Sequence, residues 1–222
     1  MSEIDSHELA EKIDMELLRH LSEERGCSGN ESKIRGYIKE QIKPHCDVIK
    51  TDSMGNLFGI IEGKDDENTV LVAAHMDEIG FMIRYIDENG FLRVTRVGGQ
   101  NHRLLPGSRV IVNGKNGAIP GIFGEKAIHL IDRKERSKVT PLDECFVDIG
   151  AKNREEAEKV VSIGDFVEFQ QSLQQFENST LVNGKAFDDR IGCYIMIQAL
   201  KAIAEDDKPQ HSIVFAFTSQ EE

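Results

Sequence analysis

Three widely separated segments run an apolar stretch straight into a histidine or a carboxylate. They are Val70-Leu71-Val72-Ala73-Ala74-His75-Met76-Asp77, Ala186-Phe187-Asp188-Asp189-Arg190 and Ile213-Val214-Phe215-Ala216-Phe217-Thr218-Ser219-Gln220-Glu221-Glu222. Charged groups are costly to bury unless they are paired or coordinate a metal. A hydrolytic centre with two divalent cations accounts for all three segments together. Such a centre takes a histidine, a carboxylate that bridges the cations, terminal carboxylates and a separate general base.

Each segment also has a simpler account. Residues two apart in an extended chain point to the same side, so His75 and Asp77 address one place beyond the strand end. There open α/β sheets hold their ligands. Taken alone, the pair reads more readily as a histidine hydrogen-bonded to its neighbour. Asp188-Asp189 precedes a helix, and N-capping explains one aspartate readily. It does not explain two, whereas a metal-bridging carboxylate and a neighbour oriented by the backbone or by Arg190 uses both. Glu221-Glu222 is either a solvated acidic end or a division of labour, with one carboxylate on metal and one acting as base on water.

The elements that must position these groups follow from periodicity. Leu9, Ile13, Leu17, Leu18 and Leu21 recur at helical spacing after Ser6 as N-cap, with Gly26 closing the segment. Ile34, Ile38 and Ile42 mark a second helix, stopped by Pro44. A hairpin follows, from Asp47 to Thr51 and from Leu57 to Ile61, around Ser53-Met54-Gly55-Asn56. Thr69 to Ala74 is short and continuously apolar, as expected of a strand buried on both faces. Beyond Gly80 the texture changes to short β pieces: Phe81–Ile86, Phe91–Val97, Arg109–Val112, Phe146–Ile149 and Phe166–Phe169. Gly98-Gly99, Pro106-Gly107 and Asn113-Gly114 punctuate them, and only Arg154–Val160 looks helical. A helix from about Arg190 to Ala204 and a buried strand His211–Thr218 then restore the α/β pattern. The expected fold is a mixed-sheet α/β domain, residues 1–79 and 177–222, carrying an inserted small β-barrel or sandwich at residues 80–176.

Composition narrows the class of function. A net charge of −12 opposes binding to nucleic-acid phosphates and leaves no basic patch for a membrane surface. No apolar run approaches membrane-spanning length, and the polar start Met1-Ser2-Glu3-Ile4-Asp5 has no signal-like apolar core. Cys27, Cys46, Cys145 and Cys193 show no CxxC spacing, as in proteins of reducing compartments. A cytoplasmic protein with inert thiols is expected.

The fragments Ala73-Ala74-His75-Met76-Asp77-Glu78-Ile79-Gly80-Phe81, Ala186-Phe187-Asp188-Asp189-Arg190-Ile191-Gly192 and Phe217-Thr218-Ser219-Gln220-Glu221-Glu222 resemble the three leading motifs of the M42 aminopeptidases. These are glutamyl and deblocking enzymes that assemble as tetrahedral dodecamers. Motif order, approximate spacing and the β-rich insertion all match. So do Ile86-Asp87-Glu88-Asn89-Gly90-Phe91-Leu92 and Val147-Asp148-Ile149-Gly150-Ala151, so that the resemblance covers nearly the whole chain.

The resemblance implies two divalent metal ions per subunit, zinc or cobalt, and short peptides as substrates. His75 would ligate one metal, Asp188 would bridge both, and Glu222 would be a terminal ligand. Glu221 would be the general base, with Asp77 orienting and polarising His75. It implies a cis peptide at Asp188–Asp189 and a homo-oligomer whose subunits pair through the inserted β domain, the dimer being the building block of the dodecamer.

The chain departs from the family in Gly98-Gly99-Gln100-Asn101-His102, where a tryptophan is common, and in its ending. Two further family ligands, an aspartate and a distant histidine, have no counterpart here, and His102, His129 and His211 read as surface or packing residues. Three of five expected ligands are therefore present, and a C-terminally truncated, inactive chain is expected. A related di-metal carboxypeptidase or deacylase shares the first and third motifs, but the second motif and the place of the insertion favour the aminopeptidase. A non-catalytic assembly subunit is the alternative from another class.

Overall fold

The computed structural model describes residues 13–222 other than Glu135 and Asn178. In chain order the elements are α1 (Met15–Glu23), α2 (Ser32–Ile42), β1 (Val48–Thr51), β2 (Leu57–Ile61), β3 (Asp65–His75), β4 (Gly80–Ile86), β5 (Leu92–Val97), β6 (Arg109–Gly114), β7 (Gly117–Gly124) and β8 (Phe146–Asp148). There follow α3 (Arg154–Val160), β9 (Phe166–Phe169), β10 (Gln174–Gln175), β11 (Val182–Asn183), α4 (Phe187–Glu205) and β12 (His211–Thr218). These residues form two compact units: residues up to 78 with residues 171–221, and residues 79–170 with the last residue, Glu222.

In the first unit a sheet runs in the order β1-β2-β12-β3, with β12 antiparallel to β2 and parallel to β3. Ser6 and Leu9 lie outside the described residues. Within them α1 starts at Met15, capped by the Asp14 carboxylate, which accepts from the Leu17 amide at 2.9 Å. Ile13 precedes that cap and is exposed, so the helical stripe begins at Leu17. Leu17, Leu21, Ile34, Ile38 and Ile42 enter the core with Leu200, Phe215 and Phe217. Gly26 does more than follow a helix. A Cβ there would stand 2.5 Å from Ile34 Cγ2 and 2.8 Å from Arg190 Nη2, so only glycine admits both neighbours.

The expectation that Thr69–Ala74 is buried on both faces fails. Val70, Leu71 and Val72 are 48%, 65% and 37% exposed. Among the described residues β3 is an edge strand, with β12 on one side only. α4 packs on β3, yet only the end of the segment is enclosed, where Ala74 and Met76 are buried. The continuous apolar run records what this strand can bury, while the described neighbours cover only part of it.

In the second unit β4-β5-β8-β7-β6-β9 close a barrel, resolving the choice between barrel and sandwich. Its core stacks Phe81 edge-on against Phe123 and Phe169, with ring centroids 4.9 and 5.6 Å apart. α3 coincides with the helix read from sequence and is capped by Asn153, whose side chain accepts from Glu156 N. β7 is not among the strands expected from sequence; it carries Gly117, Pro120, Gly121 and Gly124, residues that weaken an isolated strand. Here they have positional reasons. Pro120 lies beyond Ile122–Gly124, the stretch that pairs with β8. A Cβ on Gly124 would stand 2.5 Å from the Phe146 ring.

Two expectations follow. Gly124→Val should destabilise the protein by about 1–3 kcal/mol through overpacking against Phe146, read as a lower denaturation midpoint; an unchanged midpoint would contradict the close approach. All four cysteines are free thiols. Burial pushes Cys193 up to about 12 and, with the Asp47 charge, half-buried Cys46 up to about 11. At pH 7 native protein should therefore react slowly with iodoacetamide at Cys46 and Cys193, and fast only after unfolding. Rapid native labelling of Cys193, read by peptide mass spectrometry, would refute the burial.

Candidate metal centre

The parallel pairing of β3 and β12 places Thr218 beside His75, so both strands leave the sheet at one edge. Met76 N donates to Thr218 O at 2.8 Å just past this point. The Met76 side chain is wholly buried, and the alternation of side chains turns His75 and Asp77 away from it together. Asp77 is inaccessible to solvent. Its carboxylate accepts the Glu221 amide at 3.0 and 3.2 Å and lies 3.5 Å from His75 Nδ1. One buried aspartate thus fixes the histidine and the backbone of the double-glutamate segment.

The two aspartates in the first turn of α4 divide their roles by backbone geometry. Ala186 has φ 56°, in the left-handed region, and neither Asp188 nor Asp189 has helical dihedrals. The peptide between them is cis. Asp189 Oδ1 accepts from Gly192 N at 3.0 Å, so Asp189 caps the regular helix. A Cβ at residue 192 would stand 2.4 Å from that carboxylate, which restricts the position to glycine. Asp188 is left to project outward. Its side chain is 90% exposed, and Oδ1 lies 3.1 Å from His75 Nε2, accepting a proton when that nitrogen carries one.

Glu221 follows Gln220, itself at φ 58°. This turn lets the end of a strand bring an acid back toward His75, with Glu221 Oε2 3.8 Å from Nε2. Glu222, half-buried, ends the chain. The imidazole therefore meets Asp77 on one nitrogen and Asp188 and Glu221 on the other. Burial pulls its pKa down, but the Asp188 hydrogen bond and the charges of Asp77, Glu221 and Asp188 outweigh it, and the net shift is upward.

Such a set has the composition of a site for a divalent cation, since imidazole and carboxylate suit zinc and its neighbours. His75 Nδ1 is buried without a hydrogen bond but faces Asp77, as a ligating histidine faces its orienting carboxylate. Nε2 is the nitrogen turned toward Asp188 and Glu221. Among the described residues, no three His, Cys, Asp or Glu side chains already stand at ligating geometry. The donors are gathered but not closed around a point.

Sequence reading did not anticipate the charges behind this cluster. Arg190, one candidate for orienting its aspartate neighbour, is instead fully buried and donates to Leu21 O at 2.6 Å and Glu24 O at 3.1 Å. Lys185 pairs with Glu78, 107 residues away in the chain. No local pattern announces such a pair, although Glu78 and Arg190 lie within the motif fragments. His211 pairs with Asp65 at 3.0 Å, away from these motifs and in keeping with a packing role.

Residues 55–222 match the profile of the M42 glutamyl aminopeptidases. A putative aminopeptidase of Acetivibrio thermocellus is 40% identical over 213 residues, covering 96% of this chain and 60% of its own length. The TET aminopeptidase structure from Thaumarchaeota archaeon SCGC AB-539-E09 superposes with a TM-score of 0.89 at 34% identity, over 94% of this chain and 59% of its own. The TET1 peptidase of Pyrococcus horikoshii, described as able to assemble into a tetrahedron or a large octahedral shell, gives 0.84 at 35% identity, over 93% and 61%. This chain thus spans about 60% of the length of the curated relative. With three-quarters of its residues in the family profile and the fold shared throughout, the chain belongs to the M42 glutamyl aminopeptidase family.

Proposed function

We propose that this chain carries the first part of a two-metal aminopeptidase centre that removes N-terminal residues from short peptides. The observation that supports it is the meeting of His75, Asp188 and Glu221 at the shared end of β3 and β12, with Asp77 behind them. His75 through Nε2, Asp188 and Glu222 would hold two divalent cations, zinc or cobalt, with Asp188 between them. Bound there, the cations supply Lewis acidity toward a peptide carbonyl and water.

The chain's own residues do the rest. Asp77, 3.5 Å from His75 Nδ1, favours the tautomer protonated there and so would leave Nε2 as the ligating atom. The Glu221 amide, held by Asp77, sets where the Glu221 carboxylate stands. That carboxylate takes a proton from the attacking water and returns it to the departing amine. The 222 residues alone contain three of the five ligand positions the family implies, so by themselves they should bind metal weakly and hydrolyse nothing. The TET1 relative's assemblies support a homo-oligomer, and we assign subunit pairing to the barrel unit on the family resemblance. Among the described residues no helix is long and apolar enough to cross a membrane.

Two experiments on the full-length protein test this. Glu221→Gln should keep both metals and lower turnover on aminoacyl chromogenic substrates by roughly 10²–10⁴-fold, the effect of losing acid–base catalysis. Glu222→Gln should first lower metal occupancy, with activity partly restored at high metal concentration. Metal loss in Glu221→Gln with full occupancy in Glu222→Gln would reverse the roles. Light scattering should show at least a dimer; a strict monomer at high concentration would remove the pairing role from the barrel.

A further inference from the structure

Glu78, Lys185 and Arg190 take no part in the chemistry above, yet their side chains are only 4%, 8% and 0% exposed. Burying three charges is unfavourable unless each is matched. Lys185 Nζ donates to both Glu78 oxygens, at 2.6 and 2.8 Å, and to Glu24 O at 3.3 Å. Arg190 Nη2 lies 3.7 Å from Glu78 Oε1, while Nη1 donates to the carbonyls of Leu21 and Glu24. Those carbonyls stand at the C-terminal end of α1. There the helix leaves acceptors unpaired and its dipole is negative, so cations are favoured. The backbone is tied in as well: Glu78 N donates to Gly26 O at 3.0 Å, Ser28 N to Glu78 O at 3.1 Å, and Ser22 Oγ to Lys185 O at 2.8 Å.

The positions of these residues in the chain give the cluster its meaning. Glu78 follows Asp77 directly and lies three residues past His75. Lys185 lies three residues before Asp188, and Arg190 two after it. The cluster therefore joins the two segments that bear His75 and Asp188, which are 113 residues apart. Both segments are referred to one fixed object, the end of α1. The exposed Asp188 carboxylate has no comparable anchor of its own. Gly26 leaves the room that Arg190 occupies.

We propose that Glu78, Lys185, Arg190 and the carbonyl end of α1 form a buried ionic lock that sets the His75–Asp188 spacing, making Glu78 a positioning residue for the metal centre. The proposal rests on the two-metal reading above. In physical terms, an ion pair across the two segments converts a flexible approach of two loops into one geometry, and breaking it leaves an uncompensated buried charge.

The test is a titration of the metal-free full-length protein with Co²⁺ alone, followed by visible absorption. Glu78→Gln keeps the shape and removes the charge. It should weaken the apparent Co²⁺ affinity by about 10–100-fold, the range for groups that orient ligands, and alter the absorption band. Glu78→Asp should recover part of the loss. Lys185→Gln should act in the same direction, and the double variant should lose less than the sum of the singles, because the two share one interaction.

Variants that keep the wild-type circular dichroism but titrate within twofold of wild type overturn the lock. If Glu78→Gln does not fold, Lys185→Gln, which leaves Glu78 near Arg190, decides by the same criterion. Failure of both to fold assigns these residues a purely structural role and also overturns the proposal. A wild-type protein that takes up no Co²⁺ refutes the metal centre itself, and the lock's purpose with it.

Discussion

The parallel register of β12 on β3 is the constraint on which the candidate site depends. Thr218 stands opposite His75, and every pair back to Ser212 opposite Thr69 follows in step. The strands are more than a hundred residues apart in the chain, and the whole barrel segment lies between them in sequence. Because side chains alternate, a one-residue slip would turn His75 and Asp77 to the other face and carry Glu221 away from them. Register is held where one face is buried, and here Phe215 and Phe217 of β12 with Ala74 of β3 belong to one core. Apolar packing thus sets the positions of the polar ends.

Asp77 converts that register into a site. A carboxylate with no solvent exposure must be satisfied within the protein, and its oxygens are engaged by the Glu221 amide and the His75 imidazole edge. The same residue therefore couples the ends of both strands. Asp189 acts in a parallel manner on the second segment, where the bond to Gly192 N consumes one of two adjacent carboxylates and leaves the other exposed. In each case a more exposed acid, Glu221 or Asp188, stands beside a more buried one, Asp77 or Asp189.

The barrel unit shows how small residues carry structural information. In β7, glycine at position 124 is the condition for a Phe146 ring to lie against the strand, and the ladder with β6 continues from Arg109–Ile122 through Gly114–Gly117. Propensity alone reads such a segment as loop, since glycine and proline weaken isolated strands. Ring closure supplies partners on both sides of the strand, and tertiary pairing overrides the local preference.

Much of this molecule was legible in one dimension. The isoleucines at four-residue spacing, the hairpin around residues 53–56, the Arg154–Val160 helix and the strand His211–Thr218 follow from periodicity and turn chemistry, which are local. The motif residues stand out because charge beside apolar sequence demands a reason, and together they carry a specific family resemblance. Other features depended on contacts between distant residues. The parallel β3–β12 pairing, the split between Asp188 and Asp189, the exposure of Val70–Val72 and the burial of Glu78 with Lys185 and Arg190 are of this kind. Each is decided by which distant group occupies the neighbouring volume, and residue order along the chain does not encode that occupancy at any single position.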